Sequence, residues 1–527
     1  MSAATVLPDA GASRRERLTH AAVRVRAAAC VRAADPATAA VAALCALGAA
    51  LRFYGIGRQA FWFDEGNTVL LIHLSLGKML GLIPQTESTP PVYYCLAWAW
   101  ARVFGFGAAG LRSLSALTGV LVIPVAYGIG VKLMSRRAGL ILAALCACNP
   151  FLIWYSQEAR SYELLVLMCA LAMLAFVYAL ERPTGRWLAA WAASSVLALG
   201  THYYALVAIA PQVAWLVLRR GRERSVRISV AAVLAGGAAL LPLALTQNST
   251  GRDSWIGHSP LGLRLAQILP QLVIGTDAPA RTALKIAGLT LAAVGLALLV
   301  AARHGPERRA ALLGGGLALA GFILALVFLA VGSDTLITRN IIDLWLPGAV
   351  ALAGGLALAR PPAVGVAVAG ALCAIGVTAA VGVATTYDFQ RPDWRRVAIA
   401  LGPPPRPGSE RLILIQHYRT LLPLSLYTPH LRFLGTRTAH HVVELDVVAM
   451  SSPQQPLCWW GAACNLIPSR LQARYDIPGF RVLWRRRVRR FTLMRLVASQ
   501  PETVTPGMVA RALRTTTLKR DDLLVQR

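Results

Sequence analysis

Two adjacent acids, Asp64-Glu65, sit within Phe61-Trp62-Phe63-Asp64-Glu65-Gly66-Asn67, directly after the first apolar segment. Paired carboxylates among aromatics at a membrane surface suit proton-transfer chemistry, because low-dielectric surroundings shift acid pKa values towards a working range. Carboxylates are scarce in this chain, 24 Asp and Glu against 53 Lys and Arg. A solvated loop or a helix cap would use the same two residues. Against that bland reading, other polar clusters recur at matching positions. They are Glu87-Ser88-Thr89-Pro90-Pro91, the stretch Tyr155 to Glu163, Thr201-His202-Tyr203-Tyr204, Arg252-Asp253-Ser254-Trp255, Asp334 to Asn340 and Tyr387 to Arg395.

The elements that must position these clusters are membrane helices. The chain has 527 residues, 56% of them hydrophobic and 15% charged, more apolar surface than a soluble fold of this length can hide. Repeated apolar runs of roughly 17–22 residues match a hydrocarbon core about 30 Å thick, and the short alternating strands of a β-barrel are missing. Eleven such runs fall near 37–56, 111–134, 138–156, 162–180, 187–202, 203–218, 228–246, 284–302, 310–331, 338–358 and 363–384. Arginine-rich joints at 132–137, 181–186, 219–227, 303–309 and 360 all become cytoplasmic when the direction alternates through these runs. That parity puts every polar cluster outside. The net charge of +29 is then largely topological, and nucleic acid is not an expected partner. Residues 90–105 and 260–281 are expected as interfacial helices, the first being short and carrying Tyr, Trp and Arg102.

The expected organisation is a basic cytoplasmic tail (1–36), a multispan domain (37–384) with a first outer loop at 57–110, and an extracytoplasmic domain (385–527). The fold class is an all-α polytopic membrane protein of about 11 transmembrane helices plus interfacial helices, with a small α/β C-terminal domain. Strands are expected at 411–416, 431–434, 442–448 and 481–484 after a Pro-rich turn at 402–408. Cys458 and Cys464 bracket a five-residue loop in that outer domain, and in an oxidising compartment they are expected to pair. The cysteines of the leader and membrane part show no metal-ligand spacing and two more do not make a four-ligand zinc site, so no metal ligand is assigned and any divalent ion stays open.

An acidic pair after the first span, Pro90-Pro91 followed by aromatics, the Tyr155-Ser156-Gln157-Glu158-Ala159-Arg160-Ser161-Tyr162 segment and an outer C-terminal domain together form a pattern. The chain resembles the GT-C superfamily of membrane glycosyltransferases, in particular its bacterial protein O-mannosyltransferase-like and aminoarabinose-transferase-like branch. The likeness spans residues 40–400 and is loose beyond. It implies that Asp64 is the catalytic base, with Glu65 beside it, in a bacterial plasma-membrane enzyme. That branch often carries His before Pro-Pro, where this chain has Thr89, so a substrate or metal contact expected of that His has no counterpart.

The residues suit such chemistry. An outward-facing transferase needs its sugar delivered on a lipid, and a polyprenyl phosphate leaves when an acceptor hydroxyl of a protein, lipid or glycan attacks the anomeric carbon. A carboxylate must take the hydroxyl proton, the role expected of Asp64. Cations must stabilise the leaving phosphate, the role expected of Arg160 and Arg339 at helix ends. Either arginine could instead snorkel at the interface. Glu158 and Glu163 flank Arg160. Helical spacing makes a Glu163–Arg160 ion pair the structural expectation, and holding a sugar hydroxyl or orienting Asp64 the functional one. His202 and Tyr203 are candidate sugar or phosphate contacts, although an interfacial His is often only packed. Trp62, Trp154 and Trp255 could stack on a sugar, although an aromatic belt puts Trp at this depth anyway and is the expected role. Mannose or arabinose on decaprenyl phosphate and aminoarabinose on undecaprenyl phosphate all fit this framework. A lipid-linked-sugar transporter or flippase would show internal repeats and broken helices at the midplane. A non-catalytic envelope scaffold would tolerate loss of Asp64.

Overall fold

A computed structural model describes residues 35–403, 410–415, 421–434, 439–450, 477–512 and 523–527. The basic tail and the Cys458–Cys464 pairing lie outside the described residues. The chain begins with α1 (Pro36–Phe53), then three short helices, α2 (Phe63–Ile72), α3 (Leu76–Thr86) and α4 (Val92–Phe104). After these come α5 (Ala108–Leu133), α6 (Arg136–Cys148), α7 (Pro150–Ser156) and α8 (Tyr162–Glu181). The bundle continues with α9 (Gly185–Thr201), α10 (Ala205–Arg220), α11 (Arg224–Ala239), α12 (Leu241–Ser249) and α13 (Leu261–Ile274). It closes with α14 (Arg281–Ala301), α15 (Pro306–Ala330), a tight 3-10 turn (Thr338–Leu344) leading into α16 (Trp345–Leu358), and α17 (Pro362–Thr385).

Every one of the eleven expected apolar runs is helical. Among the described residues eight helices are long and apolar enough to cross a membrane, nine if the bent pair α6–α7 counts as one span. The remaining two runs are α9 and α10, of 17 and 16 residues, slightly short of the ~20 that a full hydrocarbon core requires. The expected surface segments appear as α4 and α13, with 13 and 14 residues, too short to span. Helix α8 is the centre of the bundle, with most of its length buried against neighbouring helices.

The α6–α7 break is written in the sequence. Proline at 150 disfavours helical backbone at Asn149, which sits at φ −66°, ψ 120°. The Asn149 side chain then caps the new helix, accepting from the Leu152 amide at 3.0 Å while its Nδ2 donates to the Leu272 carbonyl at 2.8 Å. The two helices meet at 55°. Breaking α6 orphans its last carbonyls, and Arg52, in the last turn of α1, satisfies them. Its guanidinium donates to Cys146 and Ala147 carbonyls at 3.0 and 2.9 Å and to Ser156 Oγ at 3.1 Å.

Beyond α17 lie α18 (Trp394–Leu401), β1 (Arg411–Ile415), α19 (Leu421–Ser425), β2 (Leu431–Phe433), β3 (His440–Met450), β4 (Arg481–Val488), β5 (Phe491–Val504), α20 (Pro506–Ala512) and β6 (Leu523–Gln526). They build a six-stranded sheet of order β2-β6-β1-β3-β5-β4, in which β1 and β3 are parallel and every other pair antiparallel. All four expected strands are present; β5 and β6 are additions. Helix α18 packs Trp394, Val397 and Leu401 on one face of the sheet. A buried ionic cluster locks β1, β3 and β5. Arg411 reaches Glu444 at 3.2 Å and Asp446 at 3.3 Å, and Arg495 Nε reaches Asp446 at 2.8 Å.

Candidate active site

Helix α2 begins at Phe63, so Asp64 and Glu65 occupy its first turn, where an N-terminal dipole favours carboxylates. Consecutive helical residues point about 100° apart, and here that separates their fates. Glu65 turns into the protein and is fully buried. Arg112, near the start of α5, grips it with two parallel bonds, Nε to Oε1 at 2.7 Å and Nη2 to Oε2 at 2.6 Å, and the Ala159 amide donates to Oε1 at 2.9 Å. The remaining Arg112 donors bind the Ile56, Gln59 and Ala60 carbonyls. Burial alone would raise the Glu65 carboxyl, but the Arg112 charge and its hydrogen bonds outweigh it, leaving the pKa below the ordinary value. Such a carboxylate is a clamp on the loop before α2 and a poor proton acceptor.

Asp64 stays accessible, its side chain 17% exposed, and its Oδ2 accepts from Arg339 Nη1 at 2.9 Å. Arg160 Nη1 donates to the Asp64 backbone carbonyl at 3.3 Å and to Glu87 Oε2 at 2.9 Å. Tyr94, on α4, adds a 2.6 Å bond to the same Glu87 oxygen, and its hydroxyl lies 3.0 Å from Thr89 Oγ1. Arg391 reaches in from the stretch after α17, Nη2 donating to Glu158 Oε2 at 2.9 Å. Burial raises the Glu158 carboxyl despite that partner, and burial likewise raises Asp253, whose charge faces Arg339, Asp64 and Arg160. Several polar atoms here are buried without a partner: Arg160 Nε, Arg339 Nε, Arg391 Nε and Nη1, Glu87 Oε1 and Glu158 Oε1. Buried donors and acceptors are normally satisfied, so these groups point to a ligand with both anionic and hydroxyl character.

The structure thus gathers Asp64, Glu65, Glu158, Arg160 and Arg339 and adds Glu87, Arg112 and Arg391. Two expectations need correction. Glu163 does not pair with Arg160. Helix α8 starts only at Tyr162, so Arg160 precedes it and the i,i+3 geometry does not exist. Glu163 instead turns towards Arg52 and Ser156 over Gly119, where an added Cβ would lie within 3.0 Å of all three side chains. Tyr203 also leaves the cluster, its hydroxyl donating to Gln247 Oε1 at 2.7 Å. Gln247 in turn donates to the Ile83 and Thr89 carbonyls, fastening α12 to the last turn of α3 and the segment after it. His202 is buried between Tyr162 and Tyr204, its ring centroid 5.7 Å and 6.1 Å from theirs, with Nδ1 accepting from the Tyr204 amide. Trp255 and Trp154 carry Arg339 and Arg391 on their faces at 5.3 and 4.1 Å, a tighter role than a belt.

The C-terminal domain closes over this loop. Tyr427 Oη accepts from the Phe61 amide at 2.8 Å, and the Arg391 amide donates to Gln59 at 3.0 Å. Leu422 of α19 packs so closely on α2 that a Cβ at Gly66 would lie 2.9 Å from Leu422 Cγ. Among the described residues no three His, Cys, Asp or Glu side chains are grouped to hold a metal ion; the carboxylates face guanidiniums instead of one another.

Residues 88–246 match the dolichyl-phosphate-mannose-protein mannosyltransferase family, less than half of the chain. No curated protein matches the sequence. Among solved structures, ArnT from Cupriavidus metallidurans bound to undecaprenyl phosphate aligns with a TM-score of 0.54 at 15% identity, covering 88% of this chain and 99% of that one. The chain has a GT-C-like fold. The apo form of the same Cupriavidus protein gives a TM-score of 0.53 at 14% identity, covering 88% and 98%. Coverage of the other chain is nearly complete, so the GT-C-like architecture includes both the bundle and a C-terminal domain.

Proposed function

We propose that this protein is an integral membrane glycosyltransferase that moves a sugar from a polyprenyl-phosphate carrier to an acceptor hydroxyl on the extracytoplasmic face, with Asp64 as general base. The observation that carries the reading is one accessible carboxylate held at 2.9 Å by Arg339, with Arg160 on its backbone carbonyl and unpaired Nε donors on both arginines. In the reaction the acceptor oxygen bonds to the anomeric carbon, the bond from that carbon to the phosphate oxygen breaks, and the hydroxyl proton passes to Asp64. The polyprenyl phosphate departs as an anion. Arg339 and Arg160 supply donors to its oxygens, already oriented and partly shielded from water. The free oxygens of Glu87 and Glu158 suit sugar hydroxyls, and Glu65 with Arg112 fixes the helix that carries the base.

The mannosyltransferase family match and the undecaprenyl phosphate in the similar Cupriavidus structure support a lipid-phosphate donor. The basic joints support the orientation: a cysteine at Ser135 labels only from the cytoplasm and one at Thr386 only from outside. The decisive assay is transfer from a synthetic polyprenyl-phospho-sugar by protein in nanodiscs, with donor binding measured in parallel. Asp64→Asn lowers turnover by on the order of 10²–10⁴-fold and leaves donor affinity nearly unchanged. Full turnover in that variant contradicts the mechanism.

A further inference from the structure

A second cationic space of about 900 Å³ lies where α1 and α17 end and the sheet domain begins, and none of Asp64, Glu65, Arg160 or Arg339 lines it. Five arginines line it, Arg58, Arg395, Arg396, Arg486 and Arg489, against a single acidic residue, Asp393. That carboxylate is already committed, paired with Arg489 and capping α18 through the Arg396 amide at 3.2 Å. Among the described residues Arg58, Arg395 and Arg486 have no carboxylate partner; each lies over an aromatic ring, Tyr54 at 4.9 Å, Tyr427 at 5.6 Å and Trp484 at 4.1 Å.

Arginines on an edge strand commonly serve to block pairing with another chain, and β4 is an edge. Arg485 and Arg487 alternate away from the cavity and meet that need by themselves. Edge protection says nothing of Arg58, in the loop after α1, or of Arg395, on α18. Three separate elements bring arginines without a carboxylate partner to one cavity, and a bound anion would relieve their mutual repulsion more than water and salt do. The planar fork of arginine matches phosphate oxygens. Tyr54 and Ile399, both largely exposed at the cavity wall, provide apolar surface beside the charge, as a lipid-linked group needs.

We propose that this cavity is a second anion site, which binds a phosphorylated headgroup independently of the Asp64 centre. The test uses the full-length protein in detergent, with dioctanoyl phosphatidic acid, dioctanoyl phosphatidylcholine and inorganic phosphate as probes in calorimetry. Phosphatidic acid binds, and the triple variant Arg58→Gln/Arg395→Gln/Arg486→Gln weakens it about tenfold or more, as loss of charge-assisted bonds requires. Each single variant weakens it less, which keeps the test intact if the triple variant folds poorly. Arg339→Ala, which removes a cation from the other site, leaves this binding unchanged, so failure here is separate from failure of the transferase reading. Inorganic phosphate matching phosphatidic acid in affinity keeps the anion site and assigns it a soluble ligand. Equal binding of phosphatidylcholine and phosphatidic acid, or wild-type affinity in well-folded variants, overturns the proposal.

Discussion

Asp64 and Glu65 are neighbours in sequence and of one chemical type, yet they stand in two different regions of the molecule. Glu65 lies in a sealed region where every oxygen has a donor and Arg112 spends all its nitrogens on fixed protein acceptors. Asp64 lies in a half-open region where its partner Arg339 is itself 19% exposed and retains an unused donor. The contrast teaches that an arginine–carboxylate pair has no fixed meaning. Where all valences are closed it is architecture, and where the acid stays accessible and its arginine keeps an open donor it is free to take part in chemistry.

The strongest way to break this comparison acts on the sealed half. Arg112→Ala leaves Glu65 buried and unpaired, and such loss of one partner costs about 3–5 kcal/mol. The expected outcome is a large fall in thermal stability in detergent. Removing both charges, in Arg112→Met/Glu65→Gln, restores part of it. A second test on the same half uses acid. The Glu65 carboxyl is held below its ordinary value, so its contribution to stability is fully present above the unfolded glutamate pKa and is lost as pH falls through the lower folded value. Melting temperatures measured from about pH 7 to pH 3 should fall less steeply in Glu65→Gln than in the wild type, starting from a lower level. Parallel curves would show that the pair carries no such linkage.

On the open half, Arg339→Ala removes a charge-assisted contact worth about 1.5–3 kcal/mol. Donor affinity and turnover should fall together, because phosphate is charged in both ground and transition states, while the melting temperature changes little. An unchanged donor affinity would move the phosphate away from Arg339. The smallest effect is expected outside both regions. Asn149→Ala removes one helix cap at the α6–α7 break, about 1 kcal/mol, which should appear as a modest drop in melting temperature with donor affinity kept.

Much of the scaffold was legible because its signals are local. Apolar runs located eleven helices, eight of them long enough to span and nine with the bent pair counted as one, whereas the bend at Pro150 within the 138–156 run was not expected. Four of the sheet's six strands were legible; the first part of β5, Phe491 to Leu496, is buried at nearly every position, so it lacks the alternation that marks a strand with one wet face. Asp64 was legible as one of few acids, and Arg160 and Arg339 as arginines at outer helix ends. Arg112 was not, since it sits inside an apolar helix and its partner lies 47 residues earlier. Arg391 showed only as part of a polar loop, because nothing local ties it to Glu158, 233 residues away. The supposed Glu163–Arg160 pair failed for a local reason, a helix that starts two residues later than the spacing rule assumed.

One paired measurement tests the division of labour directly: turnover per folded molecule and melting temperature for Asp64→Asn and Glu65→Gln, each beside the wild type. The account predicts that Asp64→Asn melts like the wild type and loses on the order of 10²–10⁴-fold in turnover. Glu65→Gln should melt lower and, once corrected for its folded fraction, keep most of its turnover. The reverse pattern, with Glu65→Gln stable but inactive and Asp64→Asn active, would contradict the account and make the buried acid the base.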